Sequence, residues 1–310
     1  MSTAHLYARF SDAAFHWVTK ISALSVLVLL AGILISLGIA AYPAFKAFGL
    51  MFFFNSAWNP VTHVFGAGAP IYGTVMTSLI AMFIAIPLSF GISIFLTELS
   101  PPKLKHPLTI AIQLLAGIPS IIYGIWGLFI FVPIMQQWIQ PVLIEFFGPI
   151  PVLSSLFSGP PYGIGLFTAG SILAIMITPF ITGLMCEAFE KVPKVVKEAA
   201  YGIGCTTAEV VRHVTLPYTR STVTAGIMLG LGRALGETMA VTFVIGNAHK
   251  IPTSLFAPGT TISAILANEF TEAVDDIYMS SLIALGFILF IITFIVSALA
   301  RLMLKRLERS

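Results

Sequence analysis

The sequence predicts an all-α integral membrane protein with six transmembrane helices. Three observations carry that expectation: an apolar composition, six apolar runs of spanning length, and a one-sided distribution of basic residues. The chain is 57% hydrophobic and 9% charged, against about 25% charged in an ordinary soluble domain, and its mean hydropathy is +0.97. A bilayer core takes about 20 apolar residues per helix, and the runs near 21–41, 72–97, 108–132, 163–188, 218–246 and 280–304 qualify. Of the sixteen lysines and arginines, thirteen fall on one side of these spans, Lys46 and Lys250 fall on the other, and Arg233 lies within a span. By the positive-inside rule both termini are cytoplasmic, and an odd number of spans would have scrambled this sorting.

The net charge of +3 is too small to suggest nucleic-acid binding. Cys186 and Cys205 read as reduced thiols on the cytoplasmic side, with neither a disulfide nor a metal site in prospect. No cleavable signal sequence is expected, because the first apolar run begins only after Lys20 and continues too long for an h-region.

Three segments lie outside the membrane in this reading. Residues 42–71 carry Trp58, which reads as an interfacial anchor. The apolar stretch 133–162 is interrupted by Pro133, Pro141, Pro149, Pro151, Pro160 and Pro161, and is expected to lie along the interface because proline breaks a continuous helix. The loop 247–279 holds Glu269, Glu272, Asp275 and Asp276, either a solvated face or a docking patch for a soluble partner.

The cytoplasmic segment between the fourth and fifth spans reads KVPKVVKEAAYGIGCTTAEVVRHVTLPYTRS. Pro193 suits a helix's first turn, Gly202 and Gly204 interrupt that helix, and Thr206 with Glu209 three positions on forms a capping box for a second. Leu216-Pro217 is expected to end the second helix before the fifth span. Any long basic loop could hold helices against anionic lipid, but the residue pattern is more specific. Glu198-Ala199-Ala200, three residues, Gly204, nine residues, then Val214-Thr215-Leu216-Pro217 resemble the EAA loop of ABC-importer permeases, with valine in place of its isoleucine. That resemblance implies coupling helices that dock in a groove of a separate ATPase, with Glu198, Ala199, Ala200, Gly204, Leu216 and Pro217 as the coupling residues. The chain has no G-x-x-x-x-G-K-[ST] loop and no H-E-x-x-H or G-x-S-x-G motif, so no ATPase, metalloprotease or hydrolase site is expected in it.

The fifth span contains GLGRALGETMAV. Gly226, Gly230, Arg233 and Glu237 follow at spacings of four, three and four, which on one continuous helix is a single face. A charge at the bilayer centre costs roughly 2.5–3.5 kcal/mol on insertion scales and usually marks a partner or a path. An internal Arg233–Glu237 ion pair is one reading. A transport path is the other: arginine suits bidentate contact with an oxyanion, Glu237 holds it neutralised meanwhile, and Thr238 and Thr242 add hydroxyls. Pro119 is expected to kink the third span, and Glu98 reads as a boundary charge.

The runs GLGRALGETMAVTFVIGN, 230–247, and LLAGIPSIIYGIWGLF, 114–129, resemble the phosphate-importer permeases of the PstC type, and the likeness extends over essentially the whole chain. The resemblance implies a type I, MetI-like permease of the bacterial inner membrane. It implies a PstA-type second permease, a PstB-type ATPase pair that binds ATP and Mg, and a PstS-type periplasmic phosphate-binding protein. No cofactor is implied for the chain itself. Arg233 and Glu237 then belong to the phosphate path. The division that follows is a cytoplasmic segment 1–20, a first helix and long periplasmic loop 21–71, a permease domain 72–304 with the coupling loop at 189–217, and a cytoplasmic tail 305–310. A permease for molybdate, sulfate or phosphonate, and a membrane component that senses phosphate, are the alternatives.

Overall fold

The structure, a computed structural model, describes residues 3–309, with side chains described at Asp12 and over 14–305 save Val152. It is all-helical. Among the described residues, five helices are long and apolar enough to cross a membrane. They lie in α1 (Thr3–Phe48), α2 (Gly68–Leu99), α4 (Ser120–Phe147), α5 (Leu166–Glu190) and α11 (Asp276–Arg309). Between them lie α3 (Pro102–Ala116), α6 (Lys194–Gly202), α7 (Thr207–Val210), α8 (Leu216–Leu235), α9 (Met239–Thr242) and α10 (Ile262–Glu269).

The core is built on α5, the most deeply buried of the spans. Its neighbour α2 turns small residues toward it, Ala81, Ala85, Ser89 and Ser93, all buried. Small side chains let two backbones approach closely, and hydroxyls can bond across the gap without exposing polar atoms to lipid. Ser89 Oγ donates to the Thr178 carbonyl at 3.2 Å and Ser93 Oγ to that of Thr182 at 3.3 Å. A second core lies under the loops at the other end, where Phe52, Trp58 and Phe65 pack against Ile262, Tyr278 and Leu282. There α1 and α11 are pinned by one hydroxyl: Ser280 Oγ donates to the Ala40 carbonyl and accepts from Ala44 N–H, both at 3.0 Å. Pro43, inside α1, removes one ladder donor directly before Ala44, so the serine pins α1 beside its proline.

Three expectations about helix limits are corrected. The third span does not run over 108–132: α3 stops at Ala116, Gly117 is its C-cap, and Pro119 caps the start of α4, so the proline separates two helices rather than kinking one. The stretch from Pro133 to Phe147 does not lie outside the helix but continues α4. Leu216-Pro217 does not end a helix either, because α7 runs on into α8.

Three of the helix-internal prolines are tolerated for a common reason. A widened turn with i→i−5 bonding precedes each one: Val132 N–H reaches Gly127 O before Pro133, Gln140 N–H reaches Met135 O before Pro141, and Leu216 N–H reaches Val211 O before Pro217. An α-helix would bring the proline ring against the carbonyl four residues back and leave that carbonyl unpaired. One π turn shifts the register, so that the helix passes the proline without breaking.

Candidate transport path and coupling surface

The fifth apolar run departs most from expectation. It is not one helix over 218–246: α8 ends at Leu235, Gly236 is its C-cap, and α9 restarts at Met239. The glycine stripe on α8 does what its spacing predicts. A Cβ on Gly226 would lie 3.2 Å from Leu184 Cβ, and one on Gly230 would lie 2.7 Å from the Ile181 side chain, so α8 is pressed against α5.

Arg233 continues that stripe, and its guanidinium carbon sits 5.5 Å from the centre of the Phe180 ring. Phe180 is near the middle of α5, about 21 Å from its Leu166 end at 1.5 Å per residue. Arg233 is therefore level with the middle of α5, half-buried, with an aromatic face beneath it, a contact that stabilises a cation.

Glu237 does not pair with Arg233. The ion pairs among the described residues are His63–Asp275, Lys105–Glu190, Lys197–Glu98 and His249–Glu269. The i,i+4 reading assumed an unbroken helix, and the break at Gly236 removes the geometry that would bring the two side chains together. Glu237 Oε1 instead accepts from Ala240 N–H at 3.3 Å. That donor belongs to the first turn of α9, where backbone N–H groups have no helical partner and a carboxylate is favoured. Thr238 and Thr242 lie beside it with their protons committed to the backbone: Thr242 Oγ1 donates to the Thr238 carbonyl at 2.7 Å, and Thr238 Oγ1 to that of Gly236 at 3.4 Å.

The second helix break meets the first. Tyr123 hydroxyl donates to the Leu115 carbonyl at 2.9 Å, where α3 stops, an acceptor that Ile118 N–H also reaches at 3.3 Å. At Gly124, a Cβ would lie 2.9 Å from the Met239 carbonyl oxygen and 3.2 Å from Ala240 Cα, so α4 and α9 touch backbone to backbone. Two interrupted helices, an arginine and a capped carboxylate thus meet against α5. Helices interrupted within a bilayer leave backbone donors and acceptors for a polar solute, an arrangement tolerated only where it is enclosed by protein or lines a cavity. Phe180 gives no sign of this role in the sequence, since only the fold brings it to Arg233.

The capping box is present as read. Thr206 Oγ1 accepts from Glu209 N–H at 3.4 Å, and Glu209 Oε2 accepts from Thr206 N–H at 2.8 Å. The Thr206 N–H and the Thr206 hydroxyl, each donating to Glu209 Oε2 at 2.8 Å, hold the Glu209 carboxyl below its usual range. Gly204 has φ +93°, which only glycine adopts readily, and the space around its Cβ position is open. Glu198, Ala199 and Gly204 are exposed and Ala200 is half-buried; Ile203 is 84% exposed and Val195 and Tyr201 are exposed beside it. Leu216 packs on the core, and Pro217 faces outward.

At the opposite end one expectation fails and another holds for all but one residue. Trp58 is 8% exposed, so it is a buried residue rather than an interfacial anchor. Its indole N–H donates to Glu269 Oε2 at 2.6 Å, an oxygen that also accepts from Tyr278 hydroxyl at 2.7 Å, while His249 Nε2 lies 3.0 Å from Oε1. Burial alone would raise the Glu269 pKa; the bonds from His249, Tyr278 and Trp58 outweigh it and hold the carboxyl below its usual range. Of the acidic loop, Glu269 is therefore internal, and Glu272, Asp275 and Asp276 remain exposed.

Known proteins fit this arrangement. Residues 85–309 match the family described as binding-protein-dependent transport system inner membrane component. The chain is 62% identical to the phosphate transport system permease protein PstC of Mesorhizobium japonicum, covering 96% of this chain and 91% of that one. It is 54% identical to the PstC of Pasteurella multocida, covering 99% and 96%. A solved bacterial alginate ABC transporter in complex with its alginate-bound periplasmic protein is similar in fold, with a TM-score of 0.59 at 14% identity, covering 97% of this chain and 98% of that chain. The chain thus belongs to the inner membrane components of binding-protein-dependent transport systems, among the PstC phosphate transport permeases.

Proposed function

We infer that this chain is the permease subunit of an ATP-driven importer that carries inorganic phosphate across the bacterial inner membrane. The observation that carries the substrate assignment is the 62% identity over 96% of the chain to a PstC phosphate permease. The convergence at Arg233 supports it physically. A half-buried guanidinium over Phe180, without a carboxylate partner among the described residues, keeps its donors available for a tetrahedral oxyanion. In this reading Arg233 binds the anion. Glu237 caps α9 and, with Thr238 and Thr242, shapes the break through which the anion passes.

The membrane topology belongs to the same proposal. With α8 counted as a span, six helices cross, and the basic-residue bias puts both termini and the coupling loop in the cytoplasm. The exposed face of α6, carrying Glu198 and Ala199, docks a PstB-type ATPase, which binds ATP and Mg; this chain supplies no phosphate loop of its own. A PstA-type permease completes the membrane pair, and a PstS-type protein delivers phosphate from outside. ATP binding and hydrolysis in the docked subunit bias the helices between inward-open and outward-open states, which controls access to Arg233.

The test is ATP-driven uptake of labelled phosphate into vesicles holding the full subunit set, with sulfate, molybdate and phosphonate competitors and an Arg233→Ala variant. Phosphate-selective uptake that collapses in an assembled Arg233→Ala complex supports the path. Normal uptake by the variant removes Arg233 from it. Uptake of a competing anion in place of phosphate favours the alternative permease, and absence of transport altogether favours a sensing role.

A further inference from the structure

The Glu98–Lys197 ion pair lies outside both the motif that resembles the coupling loop and the path at Arg233. Lys197 Nζ donates to Glu98 Oε1 at 2.5 Å and to the Phe189 carbonyl at 3.4 Å. The two side chains are only 17% and 7% exposed. Glu98 stands on the widened turn Phe95–Leu99 that closes α2, and Phe189 is the residue before the last of α5. One lysine of α6 therefore grips the ends of both helices of the central pair.

The rest of α6 makes this grip significant. The helix has no fully buried side chain. Val195, Glu198 and Ala199 are exposed, whereas Lys197 and Ala200, three positions apart and so on one face, are turned inward. Displacement of the exposed face by a docked protein has one charged strut into α2. The Lys105–Glu190 pair nearby differs: it is 38% and 54% exposed, and exposed pairs contribute little.

A buried pair loses hydration on both partners, and an apolar pair of similar volume is often as stable or more so. What the charges add is a contact that is either made or broken, the kind of two-arrangement element through which coupling travels. We propose that Glu98–Lys197 is the positioning link through which movement of α6 reaches α2 and α5 and keeps ATP turnover in step with anion movement. The proposal rests on the reading of α6 as the ATPase-docking helix.

The experiment uses the full complex in proteoliposomes, with phosphate uptake and ATP hydrolysis measured in the same vesicles. Wild type is compared with Glu98→Gln, Lys197→Met and the reversed double variant Glu98→Lys/Lys197→Glu. Both single variants are expected to co-purify with the ATPase at the wild-type ratio and to hydrolyse ATP. Phosphate moved per ATP should fall by about 2- to 30-fold, the range for substitutions along a coupling network, and the double variant should recover part of the loss. Unchanged phosphate per ATP in both single variants overturns the proposal. So does loss of the ATPase from the Glu98→Gln complex, which keeps side-chain volume and a hydrogen-bonding group, because the pair would then serve docking alone. If wild type transports but does not hold an ATPase through this chain, the docking reading falls and the link with it. If wild type is coupled and the variants are too, only the link is wrong.

Discussion

Glu269 offers the most quantitative prediction. Its carboxylate accepts from Trp58 and Tyr278 on one oxygen, at 2.6 Å and 2.7 Å, and meets His249 on the other. Glu269→Ala leaves two donors without an acceptor, on side chains that are both buried. Each such orphan costs about 1–3 kcal/mol, so the pair costs about 2–6 kcal/mol, a large part of the roughly 5–15 kcal/mol that keeps a protein folded. At about 2 °C per kcal/mol for a chain of this size, the purified protein should melt at least about 4 °C lower. Glu269→Gln, which keeps an acceptor for the two donors, should lose less than half as much. The pH dependence has a definite sign. The folded-state pKa of Glu269 is depressed, so the stabilisation from its ionised form is fully present above the unfolded value of 4.5 and is lost as pH falls through the folded pKa. The assay is thermal unfolding in detergent, followed by tryptophan fluorescence, between pH 7 and pH 4. The gap between wild type and Glu269→Gln should narrow as pH falls below about 4.5. An alanine variant that melts with wild type, or a gap that does not narrow below about pH 4.5, refutes the account of this cluster.

Two further substitutions test the two ends of the coupling argument. Gly204→Val places a β-branched residue at φ +93°, a strain of about 1–3 kcal/mol without any clash, since the surrounding space is open. The protein should remain in the membrane and retain less ATPase on co-purification, and full retention would count against α6 as the docking helix. Gly124→Ala puts a methyl 2.9 Å from the Met239 carbonyl and forces α4 and α9 apart. Overpacking of this kind costs about 1–3 kcal/mol; phosphate uptake should drop while ATPase retention stays at the wild-type level, and undiminished uptake would show that the backbone contact does not shape the path.

The sequence by itself determined the membrane class, because composition and the positions of basic residues are properties of the chain that no packing alters. It also determined the short-range chemistry: the Thr206–Glu209 capping box and the glycine face of α8 depend on residues within a few positions of each other. Similarity to the PstC permeases was legible for the same reason, since contiguous runs carried it. What the sequence misjudged depended on helix continuity. An apolar run shows no sign of whether a proline will end a helix, as at Pro119, or be passed by a widened turn, as at Pro133, Pro141 and Pro217. Spacing of i,i+4 predicts an Arg233–Glu237 pair only on an unbroken helix, and the break at Gly236 gave Glu237 to the start of α9 instead.

Only tertiary structure could decide the partners of Glu98, Trp58, Arg233 and Glu269. Their contacts, Lys197, Glu269, Phe180 and the trio of Trp58, His249 and Tyr278, are mostly separated by tens to hundreds of residues. A charge in the sequence states that it must be hydrated, paired or placed over a polarisable face. Which of these happens is settled by the side chains that the fold delivers to it.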